Sequence, residues 1–210
     1  ACIDAHLLNR QGVTRLCYCG PVLHTQPDRP HATREPLQLG AEIFGHAGLE
    51  ADLEVLQLAL DCLQAAKMGE VLVDLADARI VSSLLEGLSL SEEKRGELYA
   101  ALASKNSSAI SELSQQFPVE VQAGLMNLID LYGDVSVLSR ALDKLPAKPQ
   151  IKLALQQLAW LSEQLPQVKF KFDLADARGY AYYSGLRFAI YAKGASDAVV
   201  RGGRYDGVGA

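Results

Sequence analysis

Hydrophobic and polar positions along the chain change their period twice, strand-like near both ends and helix-like between. Residues 15–22 read as a strand, and after a proline-rich polar stretch over 25–36 the segment Leu37–Phe44 alternates. Successive strand side chains point to opposite faces, so Leu37, Leu39, Ala41 and Ile43 share one face and Gln38, Gly40, Glu42 and Phe44 the other. The polar stretch predicts an ordered loop or hairpin tip. Over residues 50–64 the period becomes helical, with Leu53, Leu56, Leu60 and Leu63 in one stripe. A short strand is expected at 71–75, then several helices over 79–164, punctuated by Pro118, Gly133, Pro146 and Pro149. Strand character returns at 168–174. A second strand over 180–193 is expected to turn at 194–197 and pair with 198–201 as an antiparallel hairpin. A helical block between two strand-rich blocks predicts an α+β fold: an antiparallel sheet flanked by helices, one domain over 1–210 with a helical insertion at about 76–165.

Composition narrows the function classes. At 49% hydrophobic and 21% charged the 210 residues are ordinary for a globular chain, and the net charge of −5 opposes a broad nucleic-acid face. No apolar run approaches the roughly 18 residues of a membrane span, and the start does not resemble a signal peptide. Cys2, Cys17, Cys19 and Cys62 lack further ligands at zinc spacing, so no metal is expected; they are read as buried thiols in a reducing cytoplasm. The sequence starts in mid-pattern at Ala1-Cys2-Ile3 and stops just after a motif, at Gly207-Val208-Gly209-Ala210, so the native protein is expected to extend beyond both ends.

Three groups of residues carry candidate chemistry. On the alternating strand Gln38 and Glu42 share a face, and Gly40 between them is expected to leave open space about one small ligand wide. A carboxylate and an amide beside a glycine suit an amino group and a polar ring, although a solvent-facing edge has the same pattern. In Arg178-Gly179-Tyr180-Ala181-Tyr182-Tyr183-Ser184-Gly185, a regular strand puts Arg178, Tyr180 and Tyr182 on one side, with one of the adjacent tyrosines in the core and one exposed. A bulge at Gly179 or Gly185 brings Tyr183 round as well. Arginine offers a forked donor matched to a carboxylate, and phenolic hydroxyls orient ring nitrogens. In Gly202-Gly203-Arg204-Tyr205-Asp206-Gly207 the glycines permit close backbone approach, Arg204 and Asp206 share a face, and Tyr205 points the other way.

In this order the groups resemble the catalytic domain of histidyl-tRNA synthetase, a class II synthetase. Gly20-Pro21 leads through Leu23-His24-Thr25-Gln26 to Gln38-Leu39-Gly40-Ala41-Glu42, as that family's Phe-Arg-x-Glu leads to Gln-x-Gly-x-Glu. Residues 178–183 resemble its Arg-Gly-x-Asp-Tyr-Tyr motif, and residues 202–207 match its second histidine-specific motif without a substitution. The departures fall on the ATP side. His24 and Gln26 stand where the family has the arginine that grips the α-phosphate and the glutamate beside it, and Ala181 replaces the motif aspartate. His24 lacks the guanidinium fork, and losing one preorganised donor typically costs about 10²–10³ in rate. Arg34 is the basic residue of the intervening loop that remains to approach a phosphate.

Positions matching the family's histidine pocket persist: Gln38, Glu42, Arg178, Tyr182, Tyr183 and Tyr205. That asymmetry looks like the non-catalytic regulatory subunits of ATP phosphoribosyltransferase, which are synthetase paralogues. Residues 49–55 and 172–174 look like that family's flanking segments, whereas 70–165 match only in helical character. The resemblance implies a catalytic phosphoribosyltransferase subunit as partner, self-association as a dimer, L-histidine as effector, no cofactor, no transfer RNA and no catalytic residue of its own. It implies that Glu42 holds the histidine α-amino group, Arg178 its carboxylate, and Gln38, Tyr182, Tyr183 and Tyr205 the ring and pocket walls. The alternatives are a divergent histidyl-tRNA synthetase, which predicts ATP–pyrophosphate exchange, and a histidine-binding scaffold without a partner. The family's remaining class-defining segments are expected beyond the two ends of this sequence.

Overall fold

The computed structural model describes residues 12–24, 33–179 and 181–206. The chain divides into two compact units, Ala1–Leu58 and Ala59–Val208, with the boundary inside a helix.

In the first unit β1 (Thr14–Pro21) and β2 (Leu37–Phe44) form an antiparallel ladder running from Thr14 opposite Phe44 to Pro21 opposite Leu37. Pairing continues past the strands, where Val22 N donates to Pro36 O at 3.0 Å and His24 N to Arg34 O at 2.8 Å. The two expected strands are thus the arms of one hairpin. Helix α1 (Leu49–Ala65) follows, and Arg15 Nη2 of β1 donates to Glu54 Oε2 at 2.8 Å. One expectation fails on this hairpin. Cys17 and Cys19 are exposed rather than buried, and on the same face Leu37 and Leu39 are 75% and 62% exposed. Within this unit no described element covers them. Cys62 is half-buried, and Cys2 lies outside the described residues.

The second unit centres on a five-stranded sheet. Its strands are β3 (Val71–Asp77), β4 (Tyr132–Gly133), β5 (Lys169–Asp173), β6 (Leu186–Ala192) and β7 (Val200–Gly203), in the order β4-β5-β3-β6-β7. Between β3 and β5 the chain forms α2 (Ala78–Leu84), α3 (Glu92–Ala103), α4 (Ser107–Leu113), α5 (Val119–Leu128), α6 (Ser136–Lys144) and α7 (Pro149–Gln164). The sheet is not wholly antiparallel as expected, because β3 and β5 run parallel. The helical stretch returns the chain in its original direction, as a long crossover must for parallel neighbours. The strand expected over 180–193 starts only at Leu186. Before it, Tyr182 N and Tyr183 N both donate to Gly179 O, at 2.9 and 3.0 Å, and Gly179 has φ +73°. A positive φ that glycine tolerates makes this segment a turn.

Register gives the sheet two unlike faces. Val73, Leu75, Phe172, Phe188 and Ile190 are buried on one, where α7 packs on β3 and α2 on α7. Asp77 ends β3 and caps α2, accepting from Arg79 N at 2.9 Å; Arg79 Nη2 also donates to Gln157 Oε1 of α7 at 2.6 Å. Asp74, Lys171 and Arg187 lie on the other face, since Asp74 pairs with Lys171 and Ala189, and Arg187 stands two residues from Ala189 on β6. That charged face leads into the turn at 178–185.

Candidate functional site

Within the second unit Arg178 starts the turn and is held by the residue two places before it. Asp176 Oδ1 accepts from Arg178 N at 3.2 Å and from its Nε at 2.8 Å, while Oδ2 accepts from Nη2 at 2.8 Å. Arg187 of β6 brings Nη1 against the same Oδ2, but that nitrogen makes no aligned hydrogen bond. Burial alone would push the Asp176 carboxyl up; hydrogen bonds from Arg178, then the charge and the close side-chain contact of Arg187, outweigh it and hold the group down at about 2. The Arg178 guanidinium is pushed above its ordinary value, first by its hydrogen bonds to Asp176. Asp74 on the same sheet face moves the opposite way: burial raises it, and the charges of Asp173 and Asp176 raise it further. The fork expected to meet a ligand carboxylate therefore holds an internal one. An Asp-x-Arg spacing is a local signal that the motif, read from Arg178 onward, leaves out.

Beside this cluster the Tyr183 ring sits between two glycines. A Cβ at Gly179 would lie 3.0 Å from the ring and one at Gly203 2.8 Å, and the Arg187 guanidinium carbon is 5.7 Å from its centroid. Tyr182 meets Tyr183 edge-on at 5.2 Å and stacks on Tyr205 at 4.7 Å with 27° between planes. Tyr182 is 54% exposed as expected of one of the pair, but Tyr183 is half-buried rather than in the core, and a turn and not a strand places both. Ser184 joins the two motif segments. Its Oγ donates to Asp206 Oδ2 at 2.7 Å and accepts from Asp206 N at 2.8 Å, and Ser184 N donates to Arg204 O at 3.0 Å. The anticipated Arg204–Asp206 pair is loose, at 3.9 Å. Arg178, Tyr182, Tyr183 and Tyr205 thus belong to one linked cluster. Ala181 is exposed at the turn, and Tyr180 and Gly207 lie outside the described residues.

In the first unit Gln38, Gly40 and Glu42 share a face of β2, as alternation requires. The open space expected over Gly40 is filled. Tyr18 is directly opposite in the ladder, and a Cβ on Gly40 would come 2.3 Å from its ring carbon Cζ. Gln38 Nε2 donates to the Tyr18 hydroxyl at 2.6 Å. Tyr18 is the residue that sequence reasoning missed here, and the hairpin register alone was enough to find it. His24 and Arg34 face each other across the end of the hairpin, while Gln26 lies outside the described residues. Gln38 and Glu42 belong to the first unit, and the arginine–tyrosine cluster belongs to the second. Among the described residues no group of three His, Cys, Asp or Glu side chains is placed to hold a metal ion, and no helix is long and apolar enough to cross a membrane.

Comparison with known proteins gives three results. A family model described as histidyl-tRNA synthetase matches residues 1–210. The chain is 61% identical over 208 residues to a protein of Albidiferax ferrireducens named ATP phosphoribosyltransferase regulatory subunit, covering 99% of this chain and 54% of that protein. The chain therefore spans about half the length of the curated relatives it matches. Among solved structures, an ATP phosphoribosyltransferase regulatory subunit/histidyl-tRNA synthetase from Bacillus halodurans superimposes with TM-score 0.80 at 28% identity, over 97% of this chain and 54% of that one. The ATP phosphoribosyl transferase (HisG:HisZ) complex from Thermotoga maritima superimposes with TM-score 0.71 at 23% identity, over 99% of this chain and 74% of that one, a likeness of fold. The α+β, class II synthetase-like fold is thereby established.

Proposed function

The chain belongs to the histidyl-tRNA synthetase family, and on that premise we propose that it is a non-catalytic regulatory part of an ATP phosphoribosyltransferase, acting in the cytoplasm in the first step of histidine biosynthesis. The observation that carries this reading is the 61% identity, over nearly the whole chain, to a protein of that name. The sequence supports it in a second way, because the amino-acid side of the synthetase site is kept and the ATP side is altered at His24, Gln26 and Ala181. The partner is a separate catalytic phosphoribosyltransferase subunit, the chain self-associates as a dimer, and L-histidine is the effector. Histidine must favour one quaternary state over another to act at all, and a coupling of about 1–3 kcal/mol is typical.

Roles follow the chemistry of each group. Glu42 and Gln38 supply a carboxylate for the α-amino group and an amide for the ring; Arg178 supplies the fork for the α-carboxylate; Tyr182, Tyr183 and Tyr205 supply aromatic walls. The same α-carboxylate and imidazole would be recognised whether or not adenylate forms, so the test must address partner and effector together. The catalytic subunit assayed with and without this chain, across a histidine titration, is expected to need the chain for activity and to lose that activity as histidine rises. ATP–pyrophosphate exchange by the chain alone would favour the divergent synthetase instead. Glu42→Ala is expected to weaken histidine binding in calorimetry by at least about tenfold, the loss of one charge-assisted contact; unchanged affinity removes Glu42 from the site.

A further inference from the structure

The contact between Arg178 and Asp176 has the form of ligand recognition. Two parallel N–H donors meet both carboxylate oxygens at 2.8 Å, the match that makes arginine the usual reader of carboxylates. Arg178 is about half exposed, whereas the Asp176 side chain is 11% exposed. A second cation lies beneath. Arg187, 8% exposed, touches Asp176 Oδ2, yet its Nη1 has no aligned hydrogen bond. That contact is an ion pair off the hydrogen-bond direction, and a carboxylate turned toward Arg187 would align with it better. Two arginines therefore share one carboxylate, and the outer one holds the better-aligned hydrogen bonds.

We infer that Asp176 is an internal competitor occupying the carboxylate subsite of Arg178, and that a ligand carboxylate enters by exchange, taking the Arg178 fork while Asp176 turns its oxygens to Arg187. This rests on the reading of Arg178 as the grip for the histidine carboxylate. The exchange leaves each arginine with one carboxylate, so neither charge is stranded where water is scarce. It also makes Asp176 a specificity residue. A ligand lacking the carboxylate cannot displace it, so the site selects free amino acids over alcohols or amides of the same side chain. Arg187 sets how readily Arg178 is released.

The sign of the effect separates this from a role in which Asp176 merely positions Arg178. Calorimetry on the full chain with L-histidine and with L-histidinol, its alcohol analogue, reads it directly. Asp176→Asn keeps the shape and removes the competing charge; histidine is expected to bind about tenfold tighter and histidinol no tighter. Arg187→Met is expected to weaken histidine about tenfold, because Asp176 then has only Arg178 to pair with. The double variant, Asp176→Asn with Arg187→Met, has no buried unpaired charge and serves as the folded control, checked by thermal melting. It is expected to bind histidine as tightly as Asp176→Asn alone. Weaker histidine binding by Asp176→Asn, equal tightening for histidinol, or an Arg187→Met penalty that persists in the double variant each overturns the exchange. Absence of histidine binding by the unaltered chain overturns the reading of the site and the exchange with it, whereas binding that Asp176→Asn leaves unchanged sinks the exchange alone.

Discussion

Each unit seats a tyrosine ring on glycine, and the two seats differ in what holds the ring down. On the hairpin, Tyr18 lies across Gly40, remains 45% exposed, and is steadied by one hydrogen bond from Gln38. In the second unit Tyr183 is wedged between Gly179 and Gly203, with the Arg187 guanidinium near its face and Tyr182 at its edge. The first ring rests on a regular ladder and has solvent to move into. The second is enclosed by a turn, a strand end and a buried ion pair. A glycine under a ring therefore permits contact in both places, but only in the second does the surrounding backbone demand it.

The largest expected effect tests that demand at Gly203. A Cβ there would lie 2.6 Å from the carbonyl oxygen of Leu186 and 2.8 Å from the Tyr183 ring. The carbonyl is backbone and pairs in the sheet, so it cannot swing aside as a side-chain end does. Gly203→Ala is expected to destabilise the chain by about 2–3 kcal/mol, the upper range for overpacking, measured by chemical denaturation. A loss below the scatter of surface substitutions would mean that the second seat is as yielding as the first.

The two seats were not equally legible in the sequence. Alternation over Leu37–Phe44 assigns Gln38, Gly40 and Glu42 to one face, and the ladder agrees residue by residue. What alternation on one strand does not contain is the partner strand's register, which brings Tyr18 over Gly40 and fills the space expected there. Around Tyr183 the period itself failed. Residues 178–185 look like the start of a strand because they are aromatic, but Gly179 takes φ +73° and turns the chain, so parity arguments for Arg178 and Tyr182 had no strand to act on. The motif resemblance still named Arg178, Tyr182, Tyr183 and Tyr205, which the second unit links in one cluster, since it depends on identity and order and not on backbone period. Asp176 and Arg187 escaped it because one precedes the motif and the other follows it. The exposure of Cys17 and Cys19 was illegible for a different reason: apolar alternation marks a face suited to burial, not what covers it.

A smaller effect separates the seats by pH, because only the second is tied to a carboxylate of shifted affinity. Asp176 titrates at about 2 in the folded chain against an ordinary 3.8. A depressed folded value contributes stability that is present above the unfolded pKa and is lost as pH falls through the folded one. The window therefore runs from near pH 4 down to near pH 2. Allowing for solvent around the half-exposed Arg178, the contribution is about 1–2 kcal/mol. Denaturation midpoints are expected to fall across that window, and to fall less in Asp176→Asn. Asp74, whose carboxyl is raised by burial and by its acidic neighbours, works in the opposite sense, and its contribution changes above that window, before the loss from Asp176 begins. Identical pH profiles for the two chains would mean that Asp176 is no better held in the folded chain than in the unfolded one.

The smallest effect concerns the hairpin seat and is read as a coupling. Alanine at 40 would place its Cβ 2.3 Å from Tyr18 Cζ, but the ring is the far end of an exposed side chain and can swing out. The substitution also removes the backbone freedom of a mid-strand glycine, which by itself favours alanine by roughly 0.5–1 kcal/mol. The clash and the backbone gain nearly cancel, so Gly40→Ala alone is expected to shift stability by no more than about 0.5 kcal/mol. With Tyr18 first replaced by alanine there is no ring to displace. Gly40→Ala is then expected to stabilise, leaving a coupling of about 0.5–1 kcal/mol between positions 18 and 40. A cycle with no coupling would mean that the ring does not rest on Gly40 in solution, and the open space read from the strand alone would be restored. A coupling as large as the Gly203→Ala penalty would mean that the ring cannot swing out, and the contrast between a yielding and an enclosed seat would disappear.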